Sequence, residues 1–166
     1  EKIREHMRTY KTAMAKYFPA GSVPEYASKA FSCRRIYEIA AEEGIDVDVV
    51  SCGELYTAFS AGFPMERCFF HGNNKSDANI AFAMEKGIGC FVVDSFDELY
   101  AIDRIAASKG IKQNILIRVT PGIDPHTHKK ISTGSEESKF GVAIKNGYAK
   151  EAVITALDLK NVSLRG

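Results

Sequence analysis

The 166-residue sequence carries almost no net charge: 22 basic against 21 acidic side chains leave +1. So even a balance gives no electrostatic footprint for nucleic acid or an anionic membrane as partner. Long apolar runs are missing, and none approaches the roughly 20 residues a membrane span needs. The opening EKIREHMRTY is charged and has no signal-peptide core. Four cysteines, Cys33, Cys52, Cys68 and Cys90, form no CxxC pair and have no zinc spacing. Cys68 and Cys90 sit in apolar runs, where a thiol behaves as a small hydrophobe. The four read as reduced core or near-core residues, and the expected compartment is the cytoplasm. Neither GxGxxG nor a GxxxxGK loop occurs, so the two common kinds of nucleotide binding are not expected.

What remains is an ordinary globular composition, 45% hydrophobic, of one-domain length. Residues 2–18 place Ile3, Met7, Tyr10, Met14 and Phe18 at helical spacing, with Pro19 and Gly21 ending the run. A poor strand, Val23 to Ser28, contains Pro24 and Glu25. A helix follows over 32–43, with Gly44 as its C-cap. Strands are then predicted over 47–50, 67–70, 89–93, 114–119 and 162–164. Helices between them cover 53–61, 76–86, 95–109 and 148–157. Ser95 and Glu98 make a capping box. Residues 120–147 read as a long loop rich in Thr, Gly, Pro, His and Ser.

Alternating strand and helix predicts an α/β fold on a parallel sheet. The strands read as apolar throughout, as expected when both faces are covered. Even early spacing favours a barrel over an open sheet. The prediction is therefore a partial (β/α)8 TIM-type barrel, about six parallel strands with helices outside. A complete barrel has eight strands in about 250 residues. Residues 1–166 are thus expected to be an incomplete barrel domain, with chain before Glu1 and after Gly166; an open sheet edge would leave backbone groups unpaired.

Barrel chemistry gathers where strands end. Those positions read Ser28-Lys29, Ser51-Cys52-Gly53, His71-Gly72-Asn73-Asn74-Lys75, Asp94-Ser95 and Thr120-Pro121-Gly122. Lys29, between small residues, is either a partly desolvated nucleophilic amine or a solvated turn lysine. Asp48 and Arg118 are charges inside predicted apolar strands, and each must face a pocket, a ligand or a partner, including one another. Asp94 either ends a strand functionally or helps Ser95 cap the next helix. His71, His126 and His128 invite a metal reading, but no supporting ligand lies at a suitable spacing, so no metal site is expected.

Several of these stretches resemble one family. Tyr26-Ala27-Ser28-Lys29-Ala30 looks like the lysine signature of barrel-type pyridoxal-phosphate decarboxylases, and so does Asp48 to Leu55. Ala61-Gly62-Phe63-Pro64 with His71 to Ser76, then Val93-Asp94-Ser95, Arg118 to His128 and Ser138 to Gly141, are similar to its diaminopimelate-decarboxylating members. The resemblance implies that Lys29 anchors pyridoxal 5'-phosphate, that Asp48 and Arg118 line its pocket, and that His71, Asn73 and Asn74 lie near the substrate. It implies decarboxylation of meso-2,6-diaminopimelate to L-lysine by a homodimer with a further β-domain. By the same resemblance, the phosphate-binding glycines, the acid facing the pyridine nitrogen and the partner-subunit cysteine all lie outside residues 1–166. Ornithine, arginine and carboxynorspermidine decarboxylases share the lysine signature, and non-catalytic partner-binding relatives also exist. Cys52 and Pro24-Glu25 depart from the usual family residues.

Overall fold

A computed structural model of the chain describes residues 1–122 and 140–166. It opens with α1 (Lys2–Tyr17), β1 (Glu25–Ala27), α2 (Arg34–Glu43), β2 (Asp46–Val49), α3 (Cys52–Ser60) and β3 (Cys68–Phe70). Next come α4 (Asp77–Glu85), β4 (Cys90–Val93), α5 (Phe96–Lys109) and β5 (Gln113–Ile117). Two short strands, β6 (Val119–Thr120) and β7 (Val142–Ala143), precede α6 (Tyr148–Asp158) and β8 (Val162–Leu164).

Six strands form one parallel sheet in the order β1-β2-β3-β4-β5-β8. A doubly wound sheet reverses its strand order at a switch point. Here each new strand adds to the same edge. Crossovers of constant hand then put the helices on one side of the sheet, and the predicted partial barrel is what the chain forms.

The core lies between the sheet and those helices. Val47, Val49, Phe70, Phe91 and Ile115 point outward and are closed to solvent by Leu55, Ala58, Ile80, Leu99 and Ile102. Phe70 and Phe91 stack at 5.8 Å between centroids. The opposite, concave face differs from expectation. In β2, Asp46 and Asp48 alternate with fully buried Val47 and Val49. The expectation of strands apolar on both faces thus holds for β3 and β4 but not for β2, whose inner positions are half-buried aspartates. Arg67 Nε donates to Asp46 there at 2.8 Å, and Arg165 Nε to Asn114 Oδ1 at 3.0 Å.

Local signals place the boundaries. Gly44 and Gly110 end α2 and α5 with φ of 68° and 64°, the left-handed conformation that glycine adopts without a Cβ penalty. Gly89 is required by space instead. A Cβ there would stand 2.0 Å from the Glu66 carbonyl oxygen.

The helix expected over residues 2–18 forms as α1, with Met7 buried but Ile3, Tyr10 and Phe18 exposed. Ion pairs hold α1, with Arg8 Nε donating to Glu43 at 2.7 Å and Arg4 Nη1 at 2.8 Å. Arg118 lies between β5 and β6 rather than inside a strand, because β5 stops at Ile117. The predicted 120–147 loop begins and ends in paired backbone, Val119 with Val142 and Thr120 with Ala143. His126 and His128 lie outside the described residues.

A candidate active site at the strand ends

Lys29 sits in a single 3-10 turn, Ser28–Ala30, directly after β1. The turn is pinned from below. Ser28 is fully buried, and its Oγ lies 2.5 Å from the Asp48 carbonyl and 3.1 Å from Glu54 Oε2. Tyr26 Oη donates to the Phe31 carbonyl at 2.8 Å and braces the other side. Lys29 itself is exposed, so the structure presents its amine to solvent rather than partly desolvating it.

Asp48 does not pair with Arg118. Its Oδ1 is buried and has no hydrogen-bond partner among the described residues. Burial pushes the Asp48 carboxyl upward, against the opposing pull of His71 and Lys29. His71 follows β3, and its backbone N–H donates to the Val49 carbonyl at 2.8 Å. Burial is also the main effect on His71 and lowers its pKa, with Lys75, Arg118 and Lys29 adding to the shift and Asp48 resisting it. Glu25 Oε2 approaches His71 Nε2 at 4.0 Å. Burial, then Asp48 and Asp46, raise the Glu25 carboxyl to about 7.

Arg118 reaches Asp94 instead, Nη1 to Oδ1 at 3.4 Å, and its guanidinium carbon lies 4.5 Å over the Phe140 ring. Asp94 is therefore more than a helix cap. Ser95 alone is the N-cap residue of α5, accepting from Glu98 N at 3.3 Å.

Sequence reasoning missed Glu54, Glu25 and the burial of Lys75. Glu54 was legible: Ser51-Cys52-Gly53-Glu54 repeats the spacing of Ser95 to Glu98. Ser51 Oγ accepts from Glu54 N at 3.2 Å, and Glu54 Oε2 accepts from Val50 N at 2.7 Å. Glu98 likewise accepts from Asp94 N. Both boxes thus clamp the strand end one residue before the cap.

Asn73 and Asn74 are exposed beside a polar cavity of about 200 Å³ between the starts of α4 and α5. They do not join Lys29 and Asp48. A larger apolar cavity of about 520 Å³ lies under α1, between Ile3, Met7, Tyr10, Tyr26 and Phe31. None of Lys29, Asp48, His71 or Arg118 lines it. All four cysteines are free, and burial pushes the Cys68 and Cys90 thiols up to about 12, so they are inert. Among the described residues no group of three His, Cys, Asp or Glu side chains could hold a metal ion, and no helix is long and apolar enough to cross a membrane.

Residues 1–166 match the family described as pyridoxal-dependent decarboxylase, pyridoxal binding domain. The chain belongs to the pyridoxal-dependent decarboxylases. It is 51% identical, over 164 residues, to a diaminopimelate decarboxylase of Bacillus methanolicus. That alignment covers 99% of this chain and 38% of the relative. Diaminopimelate decarboxylase from Helicobacter pylori, complexed with L-lysine, superposes with a TM-score of 0.84 at 35% identity, over 97% of this chain and 41% of that one. Diaminopimelate decarboxylase from M. jannaschii, in complex with L-lysine, gives 0.83 at 34% identity, over 98% of this chain and 38% of that one. The chain thus spans well under half the length of these decarboxylases.

Family membership brings pyridoxal 5'-phosphate as cofactor, and the strand-end residues fit such a group. An amine stands on a pinned turn, and beside it a buried carboxylate oxygen lacks a partner, which a bound polar group would satisfy.

Proposed function

We propose that the whole protein decarboxylates meso-2,6-diaminopimelate to L-lysine and carbon dioxide, and that residues 1–166 are the cofactor-anchoring part of its barrel. A β-domain outside this chain completes each subunit, and two subunits form a cytoplasmic homodimer. The observation that carries the reading is the Lys29 turn, locked by Ser28 beside the unpartnered Asp48 oxygen, in a chain half identical to a diaminopimelate decarboxylase.

Lys29 holds the cofactor through its amine. When bound, pyridoxal phosphate acts as the electron sink for the pair left by departing carbon dioxide. Asp48 orients the cofactor through its free oxygen. Neutral His71, kept so by burial, offers a nitrogen at the pocket wall without adding charge. Arg118, braced by Asp94, supplies fixed positive charge on the other side. Asn73 and Asn74, on the loop that begins at His71, are the substrate-side candidates by family resemblance alone.

Carbon dioxide release from meso-diaminopimelate, ornithine and arginine by the whole protein tests this. Preference for diaminopimelate by at least about tenfold in kcat/KM is expected, a modest 1.4 kcal/mol of discrimination. Preference for either rival would overturn the substrate assignment. The 166-residue chain alone is expected to show no turnover.

A further inference from the structure

Lys75 is a cation almost entirely out of solvent, with its side chain 1% exposed. Lysine is rarely buried without compensation. Here Nζ donates to Gly72 O at 2.5 Å and Val92 O at 3.0 Å, and it forms an ion pair with Glu98 Oε1 at 2.7 Å. The Phe70 ring lies beneath, 5.7 Å from Nζ. These contacts tie the loop after β3 to β4 and to the first turn of α5.

The tie continues past Glu98. Glu98 Oε2 accepts from the Asp94 backbone N–H at 3.2 Å. Asp94, its side chain 4% exposed, accepts from Arg118 Nη1 at 3.4 Å. Arg118 N in turn donates to the Val93 carbonyl at 2.9 Å. One chain of contacts therefore runs from the His71–Lys75 loop, through two buried carboxylates, to the Arg118 guanidinium. Burial pulls the Lys75 amine down and pushes the Glu98 carboxyl up, while each resists the other's shift. Removing either partner strands the other charge in a dry site.

We propose that Lys75 is a positioning residue: paired with Glu98, it holds Asp94, and through Asp94 sets Arg118 at the cofactor site, without touching cofactor itself. The proposal rests on the cofactor reading above for what Arg118 does, but not for the contacts that place it.

The test is a double-mutant cycle in the whole protein, with pyridoxal 5'-phosphate affinity read by absorbance titration. Outer residues that orient a ligand cost about 10- to 100-fold in affinity when removed. Lys75→Met and Arg118→Ala are each expected to weaken binding by about tenfold or more. The double variant is expected to be no weaker than Arg118→Ala alone. Fold-changes that multiply would overturn the proposal, since independent effects add in free energy. Glu98→Gln, which keeps the shape, replaces Lys75→Met in the same cycle if the latter does not fold. Amide exchange at Asp94 is read alongside without cofactor: Lys75→Met is expected to speed it, and unchanged protection would overturn the proposal. If the wild type binds no pyridoxal phosphate, the cofactor reading falls, and exchange at Asp94 alone decides the positioning role.

Discussion

Replacing Gly89 by alanine is expected to cost about 1–3.5 kcal/mol of stability. The new methyl would stand 2.0 Å from the Glu66 carbonyl oxygen and 2.5 Å from its carbon. Non-bonded heavy atoms rest about 3.5 Å apart, so one backbone must retreat by more than an ångström. Neither is free to do so. Gly89 N donates to Met65 O at 2.8 Å, and Arg67 N to Pro64 O at 2.9 Å, fixing the turn that leads into β3. Overpacking of this kind costs about 1–3 kcal/mol, and the strained hydrogen bond adds about 1 kcal/mol. Reduced freedom of the unfolded chain returns about 0.4–1 kcal/mol. Urea unfolding with an unchanged m-value reads the difference as a lower midpoint. Gly62→Ala is the control. It has nothing within 4 Å but a φ of +72°, so its cost of about 1–2 kcal/mol is conformational alone. A Gly89→Ala protein within about 0.5 kcal/mol of wild type would refute the close approach of these segments.

The remaining predictions concern the inner face and the caps. Glu25 has a folded pKa raised to about 7, so the folded state holds its proton where the unfolded chain has lost it. Stability from this group is present below the ordinary carboxylate range and lost as pH rises toward 7. Glu25→Gln is therefore expected to stabilise the protein at pH 8, have little effect near pH 4, and flatten the pH profile of thermal unfolding between them; an unchanged profile would contradict the raised pKa of this carboxyl. Ser51→Ala removes one cap bond but leaves Glu54 on Val50 N, so a loss of about 1 kcal/mol is expected by urea unfolding. A loss above about 2 kcal/mol would show that Ser51 does more than cap α3.

Much of the fold was legible because it is written locally. Gly44 and Gly110 end helices where a left-handed residue is needed, and Ser95 with Glu98 starts one. Strand-and-helix alternation was enough to predict a parallel partial barrel. What was not legible depends on distant partners. Spacing marked α1 as a helix, but not as one held by Arg8 reaching Glu43, 35 residues away. Asp48 and Arg118 each had to face something, but only the packing reveals that Arg118 takes Asp94 and Asp48 stays open. Lys75 read as one residue of a polar loop. Its burial follows from Val92 and Glu98, 17 and 23 positions on, closing over it.

Lys29 is the residue on which the functional reading turns. The most direct measurement is the visible absorbance that a lysine-held pyridoxal adds to the whole protein, recorded for wild type, Lys29→Ala and Lys75→Met. The band is expected in wild type, abolished in Lys29→Ala, and present in Lys75→Met only at higher cofactor concentration. An equally strong band in Lys29→Ala would contradict the assignment of Lys29 as the anchor.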